Sequence, residues 1–274
     1  MANPYITGKY LPLQENAPYF VLDQTERDAR HPDELAVPPQ HLWEGWGPTA
    51  EDYLSSGRKD IQSMLRILEN AGENPASFRA VLDLGCAAGR MLRFFPFAGK
   101  ESERWGVDIK AKHISWCQLN LSPPFRFATT TTMPHLPFED NYFDLVYCGS
   151  VFTHMSELAD AWLLELLRIL RRDGYAYITV HDKNALKILM GEYRHRKDHA
   201  SLVNALLRLH EQAAVLDRKF SYFSIHTEPH TQVFYDLDYL LPRWSNFARI
   251  VSVNLEAMDY QTALLLQKPS TRQL

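Results

Sequence analysis

The sequence has few cysteines, no long apolar run and little net charge. Its three cysteines, Cys86, Cys117 and Cys148, are too scattered for a disulfide framework or a zinc cluster, which indicates a reducing compartment. No stretch of about 18 apolar residues occurs, so no membrane span is predicted. The N-terminus lacks the basic start and apolar run of a signal peptide. We therefore expect a cytoplasmic protein that does not bind membranes.

The composition is that of an ordinary globular protein. Of 274 residues, 46% are hydrophobic and 23% are charged, and the net charge is −4. This charge gives no electrostatic reason for nucleic acid to be a partner. The length allows one large domain, or one domain with a sizeable extension. Residues 1–50 are rich in proline and aromatic side chains, so we expect a surface segment without long helices there.

The stretch around which the chain is organised is residues 80–94. Its first five residues form a short apolar run, which predicts a buried strand, and the pattern breaks at Gly85. Apolar residues then recur at helical spacing from Ala88, so we expect a strand that turns into a helix. Such a turn presents free backbone N–H groups and the positive end of the helix dipole. Asp83 adds a carboxylate, which favours a ligand that carries a positive group or hydrogen-bond donors.

A second short strand is predicted over residues 104–109. It ends near Asp108, 19 residues after Gly89. In nucleotide-binding βαβ units an acid at about this distance accepts hydrogen bonds from ribose hydroxyls. Taken alone, Asp108 would be a surface turn residue, but its spacing from the first motif favours the ribose interpretation.

The remaining pattern predicts alternating helices and strands. Thr49 and Asp52 resemble a capping box that opens a helix over 50–70. Ser156 is expected to cap a long helix that Asp173 and Gly174 end. The other expected elements are helix 111–121, strands 125–128, 143–148 and 175–180, a helical stripe within 184–217, an aromatic strand or loop at 220–226, a helix from 235 that Pro242 stops, and closing strands 248–253 and 261–266.

Four segments together resemble the class I S-adenosylmethionine-dependent methyltransferases. The acidic-x-Gly-x-Gly-x-Gly motif of that family is matched by Asp83, Gly85, Ala87 and Gly89, with Ala87 replacing the middle glycine. Residues 136–138 and 143–146 match its Leu-Pro-Phe, turn, Phe-Asp-Leu-Val hallmark, and residues 106–109 and 150–155 complete the set. The combination resembles a subgroup found with sugar- and glycan-modifying enzymes, and it covers residues 53–182.

This resemblance implies an α/β, Rossmann-like methyltransferase fold. We expect a mostly parallel seven-stranded sheet, flanked by helices, with an antiparallel edge hairpin. Residues 1–75 would be an N-terminal extension and helical cap. Residues 76–270 would be the methyltransferase domain, with a helical insertion at about 184–240.

The resemblance also implies S-adenosylmethionine as the cofactor. Its amino group would suit Asp83, and its carboxylate would suit Arg90 or Arg58, although Arg58 fits a surface charge equally well. Thr132 stands where many relatives have an acid that meets the adenine amino group. The expected cofactor-binding residues are Arg58, Asp83, Gly85, Cys86, Ala87, Gly89, Arg90, Asp108, Ile109, Thr132, Met133, Cys148 and Ser150.

The expected reaction is methyl transfer to a hydroxyl oxygen of a small-molecule or sugar acceptor. His154 is the first candidate for a general base because it follows the fourth strand and titrates near neutrality. The alternative is that it packs against the next helix. His181 and Asp182, at the end of the fifth strand, are the second candidates. No histidine shows metal-ligand spacing, so no metal is predicted, and the oligomeric state is left open.

Two other classes of function compete with this interpretation. Tyr193 and Lys197 fit the Tyr-x-x-x-Lys pattern of short-chain dehydrogenases, but those enzymes place a different glycine motif near the N-terminus. The second class is an inactive, cofactor-binding partner subunit. The two departures from the family pattern, Ala87 and Thr132, are what suggest it.

Overall fold

A computed structural model describes residues 35–97, 99, 102–227 and 230–270. The expectations for residues 1–34 therefore lie outside the described residues. The strands are β1 (Ala80–Leu84), β2 (Glu103–Asp108), β3 (Arg126–Thr129), β4 (Phe143–Cys148), β5 (Leu170–Val180), β6 (Tyr222–Thr227), β7 (His230–Tyr235), β8 (Arg249–Met258) and β9 (Gln261–Gln267). The α-helices are α1 (Ala50–Asn70), α2 (Ala111–Asn120), α3 (Ala159–Ile169), α4 (Lys183–Met190), α5 (Ala200–Ala213) and α6 (Leu237–Trp244).

Seven of these strands form one sheet in the order β3-β2-β1-β4-β5-β9-β8. The first five strands of that order are parallel, and β9 runs antiparallel to both β5 and β8. The predicted Rossmann-like fold is therefore confirmed, including the antiparallel hairpin at the sheet edge. The reversal of strand order between β1 and β4 places the carboxyl ends of β1, β2 and β4 around one crevice, where open α/β sheets bind ligands.

The central strands are buried on both faces. Leu82 and Leu84 of β1 pack into one hydrophobic cluster with Trp105, whereas Val81 packs into a second cluster with Met64 of α1. Alternation of side chains across a strand explains why neighbours in β1 belong to different clusters. Helix α1 therefore shares the core of the sheet.

Helix α1 begins as its capping box predicts. The Thr49 hydroxyl accepts a hydrogen bond from the Asp52 N–H, and the Asp52 carboxylate accepts one from the Thr49 N–H, each over 3.2 Å. The helix ends at Asn70, and Gly72 follows in the left-handed region with φ +90°. This is the conformation that favours glycine after a helix.

The helix expected directly after β1 is wrong. Turns follow the strand, and the first regular element is a 3-10 helix at Leu92–Phe94. Gly85, Ala87 and Gly89 have φ values of +80°, +45° and +74°. Residues in the left-handed region cannot continue a right-handed helix, so the chain stays a loop where a ligand would approach.

Two other expected helix boundaries are also wrong. Helix α3 begins at Ala159 without a side-chain cap, because the Ser156 hydroxyl binds the Glu157 carboxylate instead. The same helix ends at Ile169, and Leu170 begins β5 by pairing with Phe143.

Pro242 lies inside α6 and does not stop it. The last turn is held by Trp244, whose indole N–H donates to the Asp160 carboxylate over 2.9 Å and whose ring packs on Phe152. These contacts offset the loss of the backbone hydrogen bond that Pro242, which has no N–H, cannot donate within the helix.

The chain between β5 and α6 builds a separate hydrophobic cluster. Helices α4 and α5 contribute leucines, and the cluster also contains Phe234 of β7 and Tyr260. Strands β6 and β7 form an antiparallel hairpin, and the pattern did not predict β7. Among the described residues, no helix combines the length and the apolar character needed to cross a membrane.

Candidate functional site

Two aspartates stand at the carboxyl ends of neighbouring parallel strands. Asp83 of β1 pairs in register with Gly106 of β2, and Asp108 ends β2 two residues later. The Asp108 carboxylate accepts hydrogen bonds from the N–H groups of Ala87 at 2.8 Å and Lys110 at 2.7 Å. An ionised carboxylate has about four acceptor positions, so capacity remains for hydroxyl donors of a ligand.

The Asp83 side chain is almost completely withdrawn from solvent, at 3% exposure. Burial raises the pKa of its carboxyl to about 8, while the Tyr147 hydroxyl and the positive charge of Arg90 act in the opposite direction. A cationic group placed beside this carboxyl would lower the same pKa and stabilise the ionised form. The site is therefore suited to an ammonium or another cation.

A solvent-open recess of about 360 Å³ lies beside Asp83. Its floor is the loop after β1, and Gly149, which follows β4, borders it. Its outer wall comes from residues that precede the loop in sequence. The lining residues are Leu42, Trp43, Trp46, Tyr53, Asp83, Gly85, Cys86, Ala87, Arg90, Met91 and Gly149.

The two arginines considered for a cofactor carboxylate have different surroundings. Arg90 lines the recess, but it already forms a buried ion pair with Asp60 at 2.7 Å. Its guanidinium also lies 3.7 Å from the centre of the Trp46 ring. Arg58 is exposed, and its guanidinium lies over Phe94. Of these two arginines, Arg90 lines the recess and Arg58 does not.

Two apolar side chains are exposed in the segments that follow β2 and β3. Ile109 is 53% exposed and Met133 is 62% exposed, which are high values for residues of their type. Thr132 is exposed as well, and its carbonyl accepts a hydrogen bond from the Trp162 indole. Ile109 and Met133, here called the apolar rim, thus follow the carboxyl ends of two neighbouring parallel strands.

The chain after β4 is fixed by polar side chains of β5 and β9. Cys148 is fully buried in the core. Ser150 has a φ of +58°, and its N–H donates to the Thr179 hydroxyl over 2.7 Å. Gln261 accepts from Thr179 at 2.7 Å and donates to the Ser150 hydroxyl at 3.0 Å. The network holds Ser150 in a conformation that non-glycine residues rarely adopt.

The three candidate bases differ in their access to solvent. His154 is exposed, and its Nδ1 is 2.7 Å from the Thr231 carbonyl. His181 is 1% exposed, its ring lies against Phe234 and Tyr260, and burial lowers the pKa of its imidazole to about 3.

Asp182 is the N-cap of α4. Its carboxylate accepts from the Ala185 N–H and from the Thr262 hydroxyl, each at 3.0 Å. Burial raises the pKa of this carboxyl. Of the candidate bases, only His154 therefore has an exposed side chain.

The aromatic wall of the recess is the part of the site that sequence reasoning did not assign. The sequence indicates only that residues 1–50 are rich in aromatic side chains, and it assigns no role to Trp43, Trp46 or Tyr53. The concentration of aromatic residues just before α1 was the available signal. Among the described residues, no group of three or more His, Cys, Asp or Glu side chains is placed to hold a metal ion.

Comparisons with known proteins find a family model, curated relatives and solved structures that are similar to this chain. Residues 82–178 match the model of the Methyltransferase domain family. An uncharacterized protein of Methanocaldococcus jannaschii is 33% identical over 117 residues, which cover 42% of this chain and 45% of the relative. An uncharacterized methyltransferase of Schizosaccharomyces pombe is 26% identical over 183 residues, covering 57% of this chain and 62% of the relative. The chain thus spans about half of the length of the curated relatives that it matches.

Solved structures show the same fold at low sequence identity. A crystal structure of an S-adenosylmethionine-dependent methyltransferase from Clostridium acetobutylicum superposes with a TM-score of 0.53 and 11% identity, covering 77% of this chain and 92% of that one. Residues 82–178 are therefore similar to the Methyltransferase domain family, and the chain has the same fold as that S-adenosylmethionine-dependent methyltransferase.

Proposed function

We propose that the protein transfers the methyl group of S-adenosylmethionine to a hydroxyl oxygen of a small-molecule or sugar acceptor. The observation that carries the proposal is the pair Asp83 and Asp108, which stand at adjacent strand ends on either side of the loop after β1. Asp83 borders the recess, and Asp108 lies next to the exposed apolar rim.

The two ends of the site differ in chemistry as the two ends of this cofactor do. Asp83 suits the ammonium of the methionyl part, and Arg90 suits its carboxylate. Asp108 suits the ribose hydroxyls, and the Ile109 and Met133 side chains suit the faces of the adenine ring. The backbone of Gly85, Cys86, Ala87 and Gly89 would pass beneath the cofactor, and the residues after β4 would border the methyl group.

When bound, S-adenosylmethionine supplies an activated methyl group on a sulfonium, so the chain needs mainly to position the acceptor. A hydroxyl acceptor must also lose a proton, and a base accelerates such a step by roughly 10²–10⁴-fold. His154 is the proposed base. Its Nδ1 contact with the Thr231 carbonyl assigns the ring proton to Nδ1, which leaves the lone pair on Nε2.

The sugar preference rests on the resemblance to the glycan-associated subgroup. The test is mass spectrometry of the purified protein for bound cofactor, calorimetry with S-adenosylmethionine, and a screen with labelled methyl groups over sugars and small phenols. Cofactor binding with turnover on a hydroxyl acceptor supports the proposal. Binding without turnover on any acceptor favours the inactive partner subunit, and absence of binding rejects both.

A further inference from the structure

The segment 36–47, here called the strap, lies against the loop after β1. At its start, the Ala36 carbonyl accepts a hydrogen bond from the Arg93 guanidinium. Trp43 stacks on Tyr53 of α1 with 5.5 Å between ring centres, and Trp46 covers the Arg90 guanidinium. The strap is therefore attached both to α1 and to the loop that forms the floor of the recess.

The strap covers one half of the site. Leu42, Trp43 and Trp46 line the recess together with Asp83. Asp108, Ile109 and Met133, which form the other half, are not among the lining residues of that recess. The strap thus borders the space beside the buried carboxyl, whereas Ile109 and Met133 remain exposed.

One side chain ties the strap to the opposite side of the crevice. The Glu44 carboxylate pairs with the Lys110 ammonium and lies 2.7 Å from Nε2 of His113, both in or next to the first turn of α2. The hydrogen bond with His113 is the largest of the effects that lower the pKa of Glu44 to about 2. The contacts of Glu44 with Lys110 and His113 are here called the latch. Lys110 also donates its backbone N–H to Asp108, so Lys110 contacts both Glu44 and the acid at the end of β2.

The backbone at the latch is strained. Glu44 has a φ of +54°, and Gly45 and Gly47 follow with φ values of +81° and +94°. Glycine adopts this conformation without cost, but glutamate does not. The Glu44 contacts with Lys110 and His113 help to hold the residue in this conformation.

We propose that the strap is a specificity element for the methyl donor. It encloses the amino-acid end of the donor, and the Glu44 contacts with α2 hold it closed. This inference rests on the proposed function, because it takes the ligand to be S-adenosylmethionine. It predicts that ligands with the amino-acid end depend on the latch, whereas ligands that consist only of the adenosyl part do not.

The test compares two probes on two matched variants. S-adenosylhomocysteine carries the amino-acid end, and methylthioadenosine lacks it. Glu44→Gln removes the latch charge, and Glu51→Gln makes the same change of charge on the exposed first turn of α1. Dissociation constants come from calorimetry and dissociation rates from stopped-flow tryptophan fluorescence, with thermal unfolding as the check of folding.

The expected result is specific to one probe and one variant. Glu44→Gln should weaken S-adenosylhomocysteine binding about tenfold, mainly through faster dissociation, as the loss of a partly exposed charged contact does. Its affinity for methylthioadenosine should not change, and Glu51→Gln should match the wild type with both probes. Lys110→Met should give a smaller loss because the Glu44 contact with His113 remains, and the double variant should lose little more than Glu44→Gln alone because Lys110 acts through Glu44.

Three outcomes would overturn the inference. Equal binding of S-adenosylhomocysteine to the wild type and to Glu44→Gln would reject the strap as a donor element while leaving the proposed function intact. An equal loss with both probes would show that Glu44 acts on the adenosyl half, through Lys110 and Asp108. If the wild type binds neither probe, the proposed function falls and the inference falls with it.

Discussion

The backbone N–H of Ala87 donates a 2.8 Å hydrogen bond to the Asp108 carboxylate, which joins the loop after β1 to the end of β2. The bond forms while Ala87 is in the left-handed region, with φ +45°. The carboxylate thus compensates for part of the strain of a non-glycine residue at the position where the family motif has glycine.

Replacing Ala87 with glycine should stabilise the fold. The substitution removes left-handed strain of about 1–2 kcal/mol. The greater conformational freedom of glycine in the unfolded chain destabilises the fold by about 0.4–1 kcal/mol. The net gain in the free energy of unfolding should lie between zero and about 1.5 kcal/mol in a urea titration. A loss of stability would mean that the Ala87 methyl group makes packing contacts worth more than the strain.

Asp108→Ala should weaken cofactor binding. A charge-assisted hydrogen bond to a ribose hydroxyl contributes about 1.5–3 kcal/mol, so the dissociation constant of S-adenosylhomocysteine should rise by about 10–100-fold in calorimetry. The variant also leaves the N–H groups of Ala87 and Lys110 without their acceptor, so its thermal unfolding must be measured alongside. Unchanged affinity in a folded variant would reject the ribose assignment.

The buried Asp83 carboxyl should make stability fall as pH rises. Its folded pKa is about 8 and the ordinary value is 3.8, so between these values the folded state holds a proton that the unfolded state has lost. The free energy of unfolding therefore decreases as pH rises from about 4 to about 8. Asp83→Asn removes this pH dependence. The free energy of unfolding of the variant should exceed that of the wild type by an amount that grows from near zero at pH 4 to about 2–5 kcal/mol at pH 8.5.

The control for this experiment is Asp217→Asn, which changes an exposed aspartate. It makes the same chemical change at the surface and so reports the effect of that change without burial. A pH-independent difference for Asp83→Asn would show that the Asp83 carboxyl is already ionised in the folded protein. The same variant should lose affinity for S-adenosylmethionine, because the ammonium loses its counter-charge.

Gly57→Ala should destabilise the protein although it improves the helix. Alanine is favoured over glycine in a helix interior by about 0.5–1 kcal/mol. A Cβ at position 57, however, would lie 2.3 Å from the Arg90 carbonyl oxygen, in the loop that α1 packs against. Overpacking costs about 1–3 kcal/mol, so we expect a net loss of about 1–2 kcal/mol in chemical denaturation. Ser55→Ala, on the exposed face of α1, is the matched control and should be neutral or slightly stabilising.

The central strands and α1 were predictable because their signals are local. Each strand is a short apolar run bounded by polar turns, and α1 has both its cap and its stop in the sequence. The loop after β1 was not predictable, because the apolar residues from Ala88 onwards have helical spacing. An alanine rarely has a positive φ, so the sequence does not indicate one at Ala87. Strand β7 was missed because its pairing depends on β6 and on His181, whose carbonyl accepts from the Tyr235 N–H.

The site was predictable in part for the same reason. The positions of Asp83 and Asp108 at neighbouring strand ends follow from the spacing of two short apolar runs. The partners of the other residues lie far away in the chain: Arg90 pairs with Asp60, and Glu44 with Lys110, 66 positions later. Contacts between residues so far apart produce no repeating pattern in the sequence. The position of the aromatic residues before α1 therefore could not be predicted.

The contact between His154 and Thr231 means that the proposed base is oriented by the β6–β7 hairpin and not by the parallel sheet. Under the proposed function, the donor would contact β1, β2 and the loops that follow them, whereas the base is held by a contact with the hairpin. Exchanging the β6–β7 hairpin is then expected to change the orientation of His154 while Asp83 and Asp108 keep their places.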